Sequence, residues 1–129
     1  MTPQLIHAVH ATRYPLDAFV FVQRGLDFTV RQVHGEPDPD ADPSTRHIDG
    51  EVLCRGLRDY ALEQYGLLAR VVLSRWGIHG CEDFGHIVFA MVDAGLMQKT
   101  QGDSIRDFQD VFDFHHAFGQ VLSLDGTKA

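Results

Sequence analysis

The sequence predicts an α+β fold that is mostly helical, with a winged-helix-like central part in which three helices precede a short β-hairpin. Apolar residues recur three and four positions apart through much of the chain, and glycines follow several of these periodic segments. Two short apolar runs near the C-terminus have the length of strands. A length of 129 residues with 44% hydrophobic and 22% charged residues is typical of one globular domain, 1–129.

A long amphipathic helix is predicted from Pro15 to Val33. Its apolar face is wider than a narrow stripe, so the helix either lies in the core or is covered by a second copy of the chain. Asp49 can cap the next helix, and Gly66 can end it in the left-handed conformation. The three helices of the central part are expected at 50–65, 67–76 and 82–94. The middle one is apolar on nearly all sides, so we expect it to be buried.

The β-hairpin is predicted from strands at 96–100 and 111–114. Asp103 or Ser104 can cap a helical turn between them, and the chain is expected to return to helix at 115–122.

Two segments are predicted to be irregular. Residues 34–47 alternate prolines with carboxylates, which predicts an acidic, mobile loop; an acidic docking segment is the alternative. The tail, 123–129, is expected to fray.

The tripeptide Asp83-Phe84-Gly85 matches the magnesium-binding motif of protein kinases. The chain has no glycine-rich loop, no phosphate-binding lysine motif and no H-R-D catalytic loop, so kinase chemistry is excluded. The position of Asp83 at the start of a predicted helix instead favours a cap or a first-turn carboxylate. Phe84 is expected in the core, and Gly85 should allow a neighbouring element to approach closely.

Five residues are candidate metal ligands because they are histidines or a cysteine that are close in sequence or could meet in the fold. They are His79, Cys81, His86, His115 and His116. Their spacing matches no standard ligand pattern, so surface or capping roles are the simpler interpretation, and a small His/Cys metalloprotein stays as an alternative. No serine lies in a nucleophile elbow, and we expect neither an enzyme nor a bound cofactor.

The candidate interaction surface is the outward face of the 82–94 helix, formed by His86, Phe89 and Asp93. In a winged helix this helix would enter the DNA major groove, where it needs donors for bases and cations for phosphates. No lysine or arginine occurs between residues 77 and 98, which favours protein contact over DNA. Burial of Phe89 under the first predicted helix is the alternative.

A candidate anion-binding set consists of basic residues on the two preceding helices and after the third, which are Arg55, Arg58, Arg70, Arg75 and Lys99. If they converge, they could bind an acidic partner, RNA or the ribosome; otherwise they pair with nearby carboxylates on a solvated face. The formal net charge of -7 disfavours nucleic acid as the partner without excluding it.

Several short motifs recur together between Tyr14 and Phe118: R-H-I-D-G, L-R-D-Y-A-L, V-V-L-S-R-W-G-I, D-F-G-H-I-V-F, A-G-L-M-Q-K-T, D-S-I-R-D-F and V-F-D-F-H-H-A-F. As a set they resemble an uncharacterised family of short bacterial proteins of similar length. The resemblance implies a compact single domain and no reaction, cofactor or ligand. Cys81 and most of the acidic loop lie outside these motifs.

The sequence therefore predicts a cytoplasmic, non-enzymatic module that binds a protein partner or a second copy of itself. The two cysteines form no C-x-x-C pair, and the N-terminus has no basic segment followed by a long apolar run. We expect a protein that is neither secreted nor inserted in a membrane.

Overall fold

A computed structural model describes residues 2–36, 39–40, 48–97 and 104–118. Helix accounts for 73% of the described structure. The α-helices, in chain order, are α1 Pro3–His10, α2 Leu16–His34, α3 Gly50–Tyr65, α4 Ala69–Arg75, α5 Cys81–Asp93 and α6 Phe114–Ala117. Two 3-10 helices, at Gly66–Leu68 and Ile105–Phe108, accompany them.

The predicted α+β class with a winged-helix-like hairpin is wrong, because the described residues form helices and no strand or sheet. The alternation at 111–114 ends at Asp113, whose carboxylate accepts a hydrogen bond from the His115 N–H and caps α6. The rings of Phe112 and Phe114 stack with centroids 5.4 Å apart. These apolar residues are therefore buried by aromatic packing and not by pairing with a strand.

The other predicted strand, 96–100, is described only at Leu96 and Met97, which follow α5 in a bend. Its remaining residues lie outside the described part of the chain, as do most of the acidic loop, the end of the predicted 115–122 helix and the tail. Ser104 caps the 3-10 helix Ile105–Phe108, which confirms one of the two predicted caps.

The predicted bounds of α3 are confirmed. The Asp49 carboxylate accepts a hydrogen bond from the Val52 N–H at 2.8 Å, and Gly66 ends the helix with a positive φ of 53°. α5 ends at Asp93, one residue before the predicted bound, and Gly95 just beyond it has a positive φ of 81°. α1 was not predicted, although the Thr2 hydroxyl caps it by accepting a hydrogen bond from the Leu5 N–H at 3.1 Å.

Helices α2 and α3 cross at unusually close range through two glycines. A Cβ atom on Gly25 would lie 2.3 Å from Leu57 Cδ2, and a Cβ atom on Gly56 would lie 1.9 Å from Thr29 Oγ1. The buried Thr29 hydroxyl donates a hydrogen bond to the Gly25 carbonyl at 2.7 Å, so the polar group at the crossing is satisfied. The wide apolar face of α2 is therefore covered by the same chain.

The 3-10 helix Ile105–Phe108 lies between α3 and α5. Phe108 would be 2.9 Å from a Cβ atom on Gly50 of α3 and equally close to one on Gly85 of α5. This contact confirms the predicted close approach at Gly85. The buried side chains form one hydrophobic cluster, whose largest fully buried members include Phe19, Phe84, Leu57, Leu73, Ile78, Ile87 and Met91.

Gly56→Ala is expected to lower the free energy of unfolding by about 2 kcal/mol or more, because the new methyl group forces α2 and α3 apart. This cost exceeds the gain of about 1 kcal/mol from the better helix propensity of alanine. Denaturant unfolding measures it. Adding Thr29→Ala removes two of the clashing atoms and should restore part of the loss in a double-mutant cycle. If Gly56→Ala is as stable as the wild type, the close crossing is wrong.

Candidate functional site

The predicted interaction surface lies along α5. His86 and Asp93 are exposed, whereas Phe89 is half-buried. The Phe89 ring packs edge-on against Phe108, with centroids 6.2 Å apart, so the 3-10 helix Ile105–Phe108 covers part of it. The surface thus offers two polar side chains and part of one ring, and its role in binding stays a prediction.

The five candidate metal ligands do not meet. Within the described part of the chain, no three histidine, cysteine or acidic side chains are placed to hold a metal ion together. His115 Nδ1 lies 2.9 Å from Arg70 Nη1, and His79 donates its backbone N–H to Asp83. His86 and His116 are exposed, and Cys81 is buried against α3.

The candidate anion-binding residues are spread over several contacts. Three already contact a side chain within 3.2 Å: Arg55 contacts Glu51, Arg58 contacts Asp59, and Arg70 contacts His115. Arg75 is exposed at the end of α4, and Lys99 lies outside the described residues. The pairs formed by Arg55 and Arg58 are those expected of a solvated face.

Asp83 joins the start of α5 to the segment between α1 and α2. Its carboxylate accepts hydrogen bonds from the backbone N–H groups of His79 at 2.7 Å and Gly80 at 3.2 Å. It also accepts a hydrogen bond from the Tyr14 hydroxyl and one from Arg13 Nη2 at 2.8 Å. The prediction that Asp83 is a cap or a first-turn carboxylate is confirmed in its second form: Gly80 is the N-cap, and the Asp83 carboxylate in the first turn binds the Gly80 N–H. The same carboxylate also anchors residues that are distant in sequence.

The electrostatics of this cluster favour the ionised carboxylate. Burial alone would raise the pKa of Asp83, but hydrogen bonds from Tyr14, His79 and Gly80 and the charge of Arg13 outweigh it and hold the pKa below its usual range. Burial and the adjacent carboxylate raise the pKa of the Tyr14 phenol. Near neutral pH the Asp83 carboxylate therefore stays ionised and the Tyr14 phenol stays protonated, which suits a structural anchor.

Four large aliphatic side chains are exposed where α3 meets α4, and we call them the corner surface. Leu67 is 69% exposed and Leu68 51%, and the less exposed Val71 and Leu62 flank them along the chain. They belong to the end of α3, the 3-10 helix Gly66–Leu68 and the first turn of α4. Exposed apolar side chains that lie together mark interaction sites more often than scattered ones do.

The expectation that the 67–76 segment is buried is wrong for the side that carries Leu67, Leu68 and Val71. After Gly66 the chain makes a 3-10 turn, which leaves Ala69 and Leu73, four residues apart, as the buried face of α4. Leu67 and Val71, also four residues apart, lie on another face and meet solvent. The sequence did contain a signal of this exposure. The 67–76 segment is apolar on nearly all sides, and so short a helix buries only one of its faces.

Comparisons with protein-family models, with curated proteins and with solved structures give no match. The resemblance to a family of short bacterial proteins thus stays a prediction. No helix among the described residues has both the length and the apolar character needed to cross a bilayer.

Asp83→Asn is expected to lower the free energy of unfolding by about 2 kcal/mol near neutral pH, because charge-assisted hydrogen bonds are lost. The folded pKa of Asp83 lies below the unfolded value of about 3.9, so the carboxylate stabilises the fold above that value and its contribution is lost as pH falls through the folded pKa. The difference between wild type and variant should therefore shrink below about pH 4.

Denaturant unfolding across this pH range measures the effect. Asp59→Asn is the matched control, because the Asp59 carboxylate is exposed and pairs with the adjacent residue, Arg58. Its loss should lower the free energy of unfolding by only a few tenths of a kcal/mol. If the difference in unfolding free energy between the wild type and Asp83→Asn does not depend on pH, the anchoring role of the Asp83 carboxylate is contradicted.

Proposed function

We propose that this protein is a non-enzymatic protein–protein interaction module that self-associates through the corner surface. The observation that carries the proposal is the exposure of Leu62, Leu67, Leu68 and Val71 on consecutive turns of one corner. The other exposed large aliphatic side chains are far from one another in sequence and include Ile6, Val33, Val52 and Ile105. Covering the corner surface would remove the largest local group of aliphatic side chains from water.

A second copy of the chain is the proposed occupant because the surroundings of the corner surface carry both signs of charge. Glu63 adjoins Leu62 in α3, and Arg75 follows Val71 by one helical turn in α4. A two-fold axis places the same patch on both sides of an interface, so each carboxylate can face a guanidinium of the other copy. This local pairing opposes the repulsion between two chains of net charge -7.

The affinity should be modest. A standard interface buries roughly 800 Å² on each partner, and four aliphatic side chains supply only part of that area. We therefore expect a dimer that dissociates in the micromolar range, with the apolar centre sensitive to substitution and the charged rim sensitive to salt.

Leu67→Glu is expected to weaken the dimer at least about tenfold, because each interface then buries two carboxylates in place of two apolar side chains. Sedimentation equilibrium over a range of protein concentrations measures the dissociation constant. Val33→Glu is the matched control: Val33 is 52% exposed at the end of α2, outside the corner surface, so the same change there should leave the constant within about twofold.

The proposal is contradicted if the wild-type protein is monomeric at about 1 mM chain, or if Val33→Glu weakens the dimer as much as Leu67→Glu does. Circular dichroism shows whether each variant keeps its helices. Where it does, a loss of association is due to the changed surface side chain and not to unfolding.

A further inference from the structure

The two cysteines are distant in sequence but meet in the interior. Cys54 lies in the middle of α3, and Cys81 is the first residue of α5. Both are buried and neither is in a disulfide. Each thiol shifts the pKa of the other, so the two sulfur atoms are neighbours. The Cys81 thiol also donates a hydrogen bond to the Phe112 carbonyl at 3.3 Å.

The surroundings of the pair give the two sulfurs different roles. The interaction with Cys54 lowers the pKa of Cys81 to about 7; burial opposes the shift, and backbone hydrogen bonding at Phe112 and Val111 adds to it. The same interaction and burial raise the pKa of Cys54. Cys81 is therefore the more acidic of the two thiols, and it is also the one that lines the cleft described next.

Cys81 has access to solvent through a cleft. The cleft has a volume of about 390 Å³ and lies between the start of α5 and the segment before α6, with Cys81 and Phe112 in its wall. Only 3% of the Cys81 surface is exposed and none of Cys54, so a reactant must be small and must reach Cys81 first.

The wall of the cleft also selects by charge. Among the described residues, its lining includes the carboxylates of Glu82, Asp110 and Asp113 and one histidine, His79. Three carboxylates around one opening repel anions, which excludes large anionic disulfides such as oxidised glutathione on both size and charge.

We propose that Cys54 and Cys81 form a redox-active dithiol that small uncharged hydroperoxides oxidise to an intramolecular disulfide. In the first step the Cys81 sulfur attacks the peroxide, a sulfur–oxygen bond forms and the oxygen–oxygen bond breaks. The proton that the Cys81 thiol gives up goes to the leaving oxygen, which departs as water or an alcohol. Cys81 is then a sulfenic acid, oxidised by two electrons.

In the second step the Cys54 sulfur attacks the Cys81 sulfur. The sulfur–sulfur bond forms, the sulfur–oxygen bond breaks, and the hydroxyl leaves as water with the Cys54 proton. The sum is two thiols and one hydroperoxide giving one disulfide, one water and one further water or alcohol. The disulfide ties α3 to α5.

The test treats the reduced full chain with hydrogen peroxide and follows intact mass and free thiols. We expect the loss of two hydrogen atoms, the disappearance of both thiols together, and a peptide that links Cys54 to Cys81 after proteolysis. The folded chain should react about tenfold faster than the same chain unfolded in denaturant, because more of Cys81 is thiolate. Oxidised glutathione should react more slowly with the folded chain than with the unfolded one.

Two variants separate the roles. Cys54→Ser should leave Cys81 as a sulfenic acid that dimedone traps, and Cys81→Ser should give neither a disulfide nor a trapped adduct. If a variant fails to fold, the mapping of the wild-type disulfide still decides. The proposal is overturned if peroxide leaves both thiols of the folded chain intact, if the disulfide joins two chains, or if dimedone labels Cys54 in Cys81→Ser.

Discussion

The close crossing of α2 and α3 is the constraint on which the rest of the structure depends. At Gly25 and Gly56 a side chain of the other helix lies so close that neither position has room for a methyl group, and the Thr29 hydroxyl at the crossing bonds back to its own helix. The short distance lets Leu57 of α3 pack directly onto α2. Because α2 and α3 are long helices, the point where they cross determines which way most of their apolar side chains face.

The two proposed functional features follow from how α3 is placed. One end of α3 runs through Gly66 into the corner surface, whose side chains stay between 37% and 69% exposed in the described chain. On the face of α3 turned towards α5, Cys54 meets Cys81 at the point where α5 begins. The Asp83 anchor fixes that beginning, since its carboxylate holds the backbone just before α5.

Features set by short stretches of sequence could be predicted, and features set by distant contacts could not. Asp49 and Gly66 bound α3 through hydrogen bonds and backbone angles within a few residues, so both were readable. The alternation around Phe112 did not produce a strand, because a strand needs a partner strand and the aromatic rings pack against one another instead. The meeting of Cys54 and Cys81 left no signal in their spacing, because it arises from the packing of α3 against α5.

The most direct test of the close crossing is a nuclear Overhauser measurement on isotope-labelled protein. The structure predicts strong cross-peaks between the Hα atoms of Gly56 and the Thr29 methyl group, and between the Hα atoms of Gly25 and the Leu57 methyl groups, because those groups are in contact. Both sets of peaks should be present at a concentration where the chain is monomeric. If neither is observed while the helices are intact, α2 and α3 do not cross at these glycines and the account of the fold fails.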